Sequence, residues 1–397
     1  MAKQKNEAQK AEEFLQAELN DFVKSVNKEQ GFDMMAFNSG GASEVKMHVP
    51  TGALELDIRL GGGFPVGRIV ELFGAKGSGK STLGDSLIVE AQKAGGVGIK
   101  IDSEHTHDPA RFAQMGGSSS QLILIQPRTL EEALRFMVAS VKKVRTKIKR
   151  KMLVPIDRPV VIFWDTLHAS RTEAEVFGGD EGEFNYEKVE GLQPKVRLLQ
   201  RWFPYIAPFL PRNNVLFVIA NQMIANISPY GGAQTTTGGN VMAHYPTLRC
   251  RMSGERDEYE ESGGPVGTPS TIYVQKNKLY GEQFDVRFAI RYDTGIDPDT
   301  TNLWWLQSNH LLPKKGGWHK FGYADVVHSF QPKSYREQLA DKVPRLSEVL
   351  AAMVSKADLW EKVDIDGEQQ WMFPSIEAVV VEDLPEEEEI SEVVVGE

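Results

Sequence analysis

Ile69-Val-Glu-Leu-Phe-Gly-Ala-Lys-Gly-Ser-Gly-Lys-Ser-Thr82 decides the fold, because it predicts a buried strand, a glycine loop and a helix start. It matches the pattern G-x-x-x-x-G-K-[ST], in which backbone N–H groups converge on a polyphosphate at a helix N-terminus. Lys80 would reach the β and γ phosphates, and the Ser81 hydroxyl would bind Mg²⁺. The alternative is an ordinary glycine-rich turn. The predicted phosphate-binding residues are Gly74, Ala75, Lys76, Gly77, Ser78, Gly79, Lys80, Ser81 and Thr82.

The composition indicates a globular protein of one large domain with appendages, or of two domains. The chain has 397 residues, of which 41% are hydrophobic, so it can bury a core. Its longest apolar runs, 160–164 and 215–220, are far shorter than a membrane span and predict central strands. The single cysteine, Cys250, excludes an internal disulfide, and the first residues show no export signal. We therefore expect a cytoplasmic protein without a membrane segment.

The acidic net charge is concentrated at the C-terminus. Residues 376–397 contain nine acidic residues and no basic one, so removing them from the net charge of −10 leaves about −1 for the rest. Such a run cannot pack into a core and predicts a solvated segment. Two roles stay open: a tail that improves solubility, or a competitor that occupies a basic groove until a polyanion displaces it.

Polar residues follow three predicted strands, at the edge where an α/β sheet presents its ligand site. The strands are Val97–Asp102, Val160–Asp165 and 214–220. The polar residues at their carboxyl ends are Glu104, Asp108, Asp165, Asn221 and Gln222. Because Asp165 ends a hydrophobic strand downstream of a phosphate loop, it is predicted to hold Mg²⁺, directly or through water.

Helices and further strands are predicted from periodicity, and two long loops from composition. The predicted helices are 8–27, 81–93, 130–149, 191–209, 332–340 and 346–354. Further strands are predicted at Leu122–Gln126, Thr247–Met252, Thr271–Gln275 and Phe284–Tyr292, the last three as antiparallel additions. The predicted loops are 177–190 and 223–240. Pro204, Pro208 and Pro211 are expected to kink or end the fourth helix.

The end of the helix predicted at 130–149 is strongly basic. Residues 142–151 contain seven basic residues and no acidic one. A solvated helix end, favoured by the helix dipole, is one interpretation, and a contact with nucleic acid is the other.

Six separated motifs, in this order, resemble the RecA recombinases of bacteria and their phages. The motifs are Pro50-Thr-Gly-Ala-Leu-Glu-Leu-Asp57, Gly67-Arg-Ile-Val-Glu-Leu-Phe-Gly74, Ile101-Asp-Ser-Glu-His-Thr-His-Asp-Pro109, Asn221-Gln222, Thr235-Thr-Thr-Gly-Gly-Asn240 and Lys276-Asn-Lys278. The resemblance covers residues 50–296. It implies an α/β fold: a RecA-like P-loop ATPase core with a mainly parallel central sheet, an antiparallel extension, an N-terminal helix and a small α+β C-terminal domain.

The composition and periodicity, together with the resemblance over residues 50–296, predict a domain organisation. Residues 1–45 would form the N-terminal helix and linker used in oligomerisation, and residues 46–296 the ATPase core with its DNA-binding loops. Residues 297–375 would form the small C-terminal domain, and residues 376–397 the acidic tail.

The resemblance assigns roles to residues around the phosphate loop. It implies that Glu104 activates the attacking water, with Lys80 and Gln222 contacting the terminal phosphate, and that Lys276 and Lys278 reach ATP bound to a neighbouring subunit. For each residue, an ordinary structural role such as a capping glutamate or a surface lysine is the alternative. Residues implied at the nucleotide base are Asp108, Arg111 and Tyr292. Residues implied at DNA are Arg197, Ile227, Tyr230, Thr236, Gly238, Gly239 and Asn240.

The resemblance implies a filament that binds ATP and Mg²⁺, coats single-stranded DNA and exchanges strands with homologous duplex DNA. Single-strand-binding and mediator proteins would be further partners. A ring-forming motor ATPase or helicase of the same fold is one alternative function, and a DNA-binding filament protein with little ATPase activity is the other. Arg111 stands where the family commonly has an adenine-stacking tyrosine, and His244 where it has phenylalanine, which is typical of a divergent, phage-encoded member.

Overall fold

The computed structural model describes residues 21, 25, 28, 45–148, 151–177, 193–224, 235–255, 258–365 and 368–376. Residues 1–47 form one compact unit and residues 48–397 another. In the first unit Asp21, Ser25 and Lys28 are helical. The other residues of the helix predicted at 8–27 lie outside the described part, as do residues 178–190 of the first predicted loop and almost all of the acidic tail.

The helices and strands are numbered along the chain. The helices are α1 Leu54–Arg59, α2 Lys80–Lys93, α3 Pro109–Gln114, α4 Leu130–Val144, α5 Glu173–Phe177, α6 Gln193–Arg212, α7 Asn240–His244, α8 Pro298–Ser308, α9 Tyr335–Leu339 and α10 Leu346–Ser355. The strands up to Ile224 are β1 His48–Val49, β2 Phe64–Pro65, β3 Ile69–Gly74, β4 Val97–Asp102, β5 Leu122–Ile125, β6 Lys147–Ile148, β7 Lys151–Met152, β8 Val160–Asp165 and β9 Val215–Ile224. The later strands are β10 Thr235–Thr236, β11 Leu248–Gly254, β12 Tyr259–Glu261, β13 Gly264–Asn277, β14 Phe284–Arg291, β15 Gly295–Asp297, β16 Lys314–Lys315, β17 Trp318–Tyr323, β18 Val326–Phe330, β19 Glu361–Ile365 and β20 Glu368–Phe373.

One large mixed sheet carries the phosphate loop. Its strand order is β15-β14-β13-β11-β3-β9-β8-β4-β5, with β10 paired to β9 and β12 to β13. The pairs from β11 through β3, β9, β8 and β4 to β5 are parallel, and β13, β14 and β15 add antiparallel strands. The predicted α/β class, with a mainly parallel sheet and an antiparallel extension, is confirmed.

Helices cover both faces of the parallel strands, which explains their continuous apolar runs. Helices α4 and α6 pack against one face, in a core cluster that includes Met137, Phe203, Trp164 and Phe217. Helix α2 covers β8 from the other face. At Gly84 a Cβ atom would lie 2.2 Å from the Phe163 ring, so only glycine allows this helix to approach the strand so closely.

The expectation that residues 247–252 form an antiparallel strand is wrong. Strand β11 runs parallel to β3 and is antiparallel only to β13. Its buried Leu248, Cys250 and Met252 alternate with partly exposed arginines. Such alternation indicates that one face of a strand is covered, and it carries no information about the direction of the neighbouring strand.

The helix predicted at 130–149 ends at Val144, and the basic stretch continues as the β6–β7 hairpin. The interpretation as a solvated helix end holds for Lys142 and Lys143, which are exposed, but not for the buried Arg145. The Arg145 guanidinium donates hydrogen bonds to five backbone carbonyls, those of Asn213, Asn214, Val154, Pro155 and Arg158. It therefore ties the segment between β7 and β8 to the residues just before β9. The structure does not test whether the stretch contacts nucleic acid.

Helix α6 continues through all three prolines to Arg212, so the expected end near residue 209 is wrong. Each proline leaves the carbonyl four residues earlier without its helical N–H partner. The Gln200 carbonyl loses its partner because residue 204 is proline, and the Pro204 carbonyl loses its partner because residue 208 is proline. Gln200 and Pro204 are both exposed, so water can bond these two carbonyls. The buried face of Phe203, Ile206 and Leu210 holds the helix on the sheet.

Two other segments are more regular or shorter than predicted. The two ends of the loop predicted at 223–240 pair as antiparallel strands, because β9 extends to Ile224 and β10 pairs with it. Residues 225–234 lie outside the described part. The helix predicted at 332–340 is a 3₁₀ turn, Pro332–Ser334, followed by the short α9.

Residues from α8 onward build a second hydrophobic cluster. Strands β16 to β20 form a separate five-stranded sheet, in which only the β17–β20 pair is parallel. The cluster between this sheet and helices α8 to α10 includes Leu306, Phe330, Val349 and Phe373. Residues after 297 therefore add a second, mainly antiparallel sheet with its own helices inside the compact unit 48–397, and the predicted domain boundaries stay predictions.

We expect Arg145→Met to destabilise the protein strongly, because it removes the shared donor of five backbone carbonyls, including the buried carbonyl of Val154. The expected loss is about 2–4 kcal/mol of unfolding free energy, measured by urea denaturation. Lys143→Met, a matched change at an exposed position of the same helix end, should alter it by less than about 0.5 kcal/mol. Equal midpoints for the two variants would contradict a structural role for Arg145.

Candidate nucleotide and DNA site

The phosphate loop depends on two glycines that no other residue could replace. Gly79 is the N-cap of α2 and has φ 87°, and a Cβ atom there would lie 2.3 Å from Ile290 Cδ1. At Gly74 a Cβ atom would lie 2.0 Å from the Met252 carbonyl oxygen of the neighbouring β11. The loop is thus shaped by backbone torsion at one end and by close strand packing at the other.

Lys80 is held inside this loop. Its Nζ donates to the carbonyls of Gly74 and Ala75, at 3.1 and 2.7 Å, and to Ser78 Oγ at 3.2 Å. Burial lowers the pKa of the ammonium, while the negative charges of Asp165 and Glu104 raise it. Two carboxylates from other strands therefore act on the lysine predicted to bind phosphate.

Asp165 lies at the end of β8 beside the first turn of α2. Its side chain is 5% exposed, and it is hydrogen-bonded to the Ser81 side chain. Burial raises the pKa of Asp165 to about 6, against the effect of the Ser81 hydrogen bond and the Lys100 charge. The two residues predicted to bind Mg²⁺ are therefore in contact, and a hydroxyl beside a carboxylate is a donor set that suits this hard cation.

Glu104 is carried by a short loop that Asp102 holds at the end of β4. Asp102 accepts the N–H groups of Thr106 and His107 at 3.1 and 3.0 Å. Burial raises the pKa of Asp102, but these bonds and one from Gln126 outweigh it, so the pKa is lowered. The exposed Glu104 accepts a hydrogen bond from Thr166 Oγ1 at 3.1 Å, which joins it to the residue after Asp165.

Of the three residues predicted at the nucleotide base, two lie beside the phosphate loop and one caps a nearby helix. Asp108 is the N-cap of α3, and one oxygen, Oδ1, accepts both N–H bonds, at 2.8 and 3.4 Å. Arg111 donates to Thr82 Oγ1 at 3.0 Å. Arg111 and Tyr292 line a cavity of about 310 Å³ together with the phosphate loop, and Tyr292 is 49% exposed. Arg111 and Tyr292 are thus brought to the loop, while Asp108 caps a helix at its side.

Gln222 lies beside the phosphate loop because β9 is the neighbour of β3. Gln222 is in register with Gly74, and its N–H donates to Asn221 Oδ1 at 3.0 Å. Asn221 Nδ2 donates to Glu71 Oε1 at 3.0 Å and to the Thr237 carbonyl at 2.8 Å. The strand that presents Gln222 to the loop therefore also holds the second predicted DNA loop.

Lys276 and Lys278 bind the carboxyl end of α7. Lys276 Nζ donates to the carbonyls of Ala243 and His244 at 2.6 and 3.0 Å, and Lys278 Nζ donates to that of His244 at 2.6 Å. Burial, and then the Lys278 charge, lowers the pKa of Lys276 to about 8. Within this chain the two lysines stabilise the helix that follows the second loop.

The residues predicted at DNA are only partly described. Thr236 is buried, and Arg249 Nη2 donates to its Oγ1 at 3.4 Å, while Asn240 and Arg197 are exposed. Gly238 is buried and Gly239, the N-cap of α7, is half-buried. Ile227 and Tyr230 lie outside the described residues.

Comparison with known proteins identifies a family for this chain. The family model described as the RecA N-terminal domain matches residues 17–297. The chain belongs to the RecA family. "Protein RecA" of Caldanaerobacter subterraneus subsp. tengcongensis is 34% identical over 280 residues, which cover 70% of this chain and 75% of that protein. "Protein RecA" of Thermus aquaticus is 29% identical over 352 residues, covering 87% and 96%.

As a RecA-family protein, the chain is a DNA-dependent ATPase and recombinase that binds nucleotide. Neither alternative function is favoured. "Protein RecA" of Crocosphaera subtropica is a further relative, 30% identical over 317 residues, covering 79% of this chain and 84% of that protein. Among the helices in the described ranges, none combines the length and apolarity that a bilayer span requires.

Several residues of this RecA-family site were not identified from sequence. Glu71 has no exposed surface and accepts a hydrogen bond from Arg249 Nε at 2.6 Å. The sequence did offer one signal for Glu71: it is a charged residue in the middle of the otherwise apolar strand β3. His168 lies against Thr237 of the second loop and Lys195 against the His168 carbonyl, and no motif distinguishes either residue.

We expect Mg²⁺-dependent nucleotide binding to weaken as the pH falls through about 6. Below its raised pKa, Asp165 is mostly protonated, and a neutral carboxyl is a poor ligand for Mg²⁺. The Mg²⁺ concentration for half-maximal binding of a fluorescent ATP analogue should rise about tenfold per pH unit below 6. Asp165→Asn should need more Mg²⁺ than the wild type above pH 6 and should lack this pH dependence. Titration of the nucleotide affects both proteins equally. Parallel pH profiles would contradict the assignment.

Proposed function

We propose that this recombinase forms a helical filament on single-stranded DNA, hydrolyses MgATP between adjacent subunits and pairs the bound strand with homologous duplex DNA. One observation supports this proposal most: β9 carries Gln222 beside Gly74 and, through Asn221, holds Thr237 of the second loop. A contact made only with the terminal phosphate of ATP would therefore bias a segment that faces DNA.

We assign the chemical step to residues at the carboxyl edge of the parallel strands. Glu104 is the proposed general base, accepting a proton from the water that attacks the γ-phosphorus. The hydrogen bond from Thr166 orients one of its carboxylate oxygens. Lys80 would bind the β and γ phosphates, and Ser81 and Asp165 would hold Mg²⁺, which neutralises charge on the phosphates.

We propose that Lys276 and Lys278 complete the site of a neighbouring subunit. In their own chain both ammonium groups bond α7 and not the phosphate loop. Lys276 is in register with Arg249, which is in register with Glu71, three residues before Gly74. A second copy is thus needed to bring these cations to the γ-phosphate, where they would stabilise the charge that develops in the transition state.

The proposed DNA surface combines the two loops. Gly238, Gly239 and the exposed Asn240 would contact phosphates, and Arg197 would add a cation. Stacking by Ile227 or Tyr230 stays a prediction, since neither is described. We further propose a cytoplasmic location, with single-strand-binding and mediator proteins as partners; the single, buried Cys250 is consistent with a reducing compartment.

Glu104→Gln should separate binding from turnover. Because glutamine keeps the size and the acceptor oxygen but cannot take up the proton, single-strand-stimulated hydrolysis should fall about 10²–10⁴-fold. Affinities for ATP and DNA should stay within about twofold of the wild type. Glu361→Gln, an exposed change on the second sheet, should retain full turnover. Normal turnover in Glu104→Gln would overturn the assignment.

The filament is tested by electron microscopy with single-stranded DNA and a slowly hydrolysed ATP analogue. Helical filaments, together with joint molecules formed from homologous but not heterologous duplex DNA, are expected. Closed rings that translocate along DNA would instead indicate a motor ATPase. Filaments with full strand exchange by Lys80→Ala would indicate a binding protein for which ATP is dispensable.

A further inference from the structure

Five residues directly after β8, Thr166 to Ser170, form a tightly held turn, which we name the connector. Thr166, Leu167 and Ser170 are buried. The Leu167 N–H donates to the Ala220 carbonyl of β9 at 3.1 Å, and Trp164 Nε1 donates to Ser170 Oγ at 3.2 Å. At its first residue, the connector bonds Glu104 through Thr166 Oγ1.

At its third residue, the connector contacts the second DNA loop. His168 Nδ1 lies 2.8 Å from Thr237 Oγ1. Thr237 is only 1% exposed and directly precedes Gly238, and its carbonyl accepts Asn221 Nδ2. One residue of the loop is therefore held twice, by its backbone from β9 and by its side chain from the connector.

The backbone of His168 also contacts helix α6, which follows the first predicted loop. The His168 carbonyl accepts a hydrogen bond from Lys195 Nζ at 3.2 Å. Lys195 is 3% exposed and lies in the first turn of α6, and burial lowers its pKa to about 8. Burial, together with the charges of Lys195 and Arg171, lowers the pKa of His168 and favours a neutral imidazole, which can pair with a hydroxyl as donor or acceptor.

We propose that His168 is a positioning residue that couples the second DNA loop to the hydrolytic glutamate, through the side-chain contacts Thr237–His168 and Thr166–Glu104 across the connector. This inference rests on the proposed function. DNA bound at residues 235–240 favours the state in which Thr237 bonds His168, and this fixes the connector and the carboxylate that Thr166 orients. The route is separate from Gln222, which acts on the same loop through β9.

The thermodynamic readout is the effect of nucleotide on DNA binding. We define the coupling ratio as the dissociation constant for a fluorescent oligo(dT) without nucleotide divided by that with a non-hydrolysed ATP analogue. When bound nucleotide favours the connector state in which Thr166 bonds Glu104, part of its effect on DNA affinity passes through the link, so loss of the link lowers this ratio. His168→Leu and Thr237→Val, which remove the hydrogen bond at similar size, should each lower the ratio and the DNA stimulation of ATP hydrolysis about five- to tenfold. Hydrolysis without DNA and the KM for ATP should change less than about twofold.

Matched variants distinguish coupling from mere packing. His168→Asn places an amide group near the position of Nδ1, and Thr237→Ser keeps the hydroxyl, so both should retain at least half of the wild-type coupling ratio. The double variant His168→Leu/Thr237→Val should be no worse than either single variant, because both remove one contact. If His168→Leu lowers the urea midpoint, Thr237→Val decides the test.

Wild-type coupling in both His168→Leu and Thr237→Val would overturn the inference, as would additive effects in the double variant or equal damage by His168→Asn. Failure of the proposed function gives a different result: the wild-type protein itself would then form closed rings, or no joint molecules with homologous duplex DNA.

Discussion

The buried carboxylate of Glu71 is the constraint on which the ligand-binding edge of the sheet depends. A carboxylate without solvent is tolerated only when it is paired and hydrogen-bonded. Arg249 of β11 bonds one oxygen and Asn221 of β9 bonds the other. The three central strands are thereby held in one register, and this register places Gln222 beside Gly74 and the Met252 carbonyl against the phosphate loop.

The same pairing connects the edge of the sheet beside the phosphate loop to residues 235–240, the segment proposed to face DNA. Asn221 bonds both Glu71 and the Thr237 carbonyl, and Arg249 bonds both Glu71 and Thr236. Residues 235–240 are therefore anchored by groups that are themselves fixed within the sheet. A rigid anchor of this kind lets a small change beside Gly74 alter the geometry of the loop, because packed interiors deform little.

Much of the site was predictable because its signals are local. The phosphate loop, the strand that ends at Asp165 and the acidic turn after Asp102 each depend on a few consecutive residues, and the structure places them at one edge. Predictions failed where a pattern has more than one solution. Alternation in β11 did not reveal its direction, the basic run concealed the buried Arg145, and the prolines of α6 were tolerated because their face is exposed.

By itself, the sequence determined the fold class and the phosphate loop, and it singled out Lys80, Glu104, Asp165 and Gln222 as candidates, because glycine torsions and apolar strand runs are properties of neighbouring residues. Only the tertiary structure decided which distant residues pair. Glu71 and Arg249 are 178 positions apart, and His168 and Thr237 are 69 apart. Such contacts follow from strand register and packing, so no local pattern encodes them.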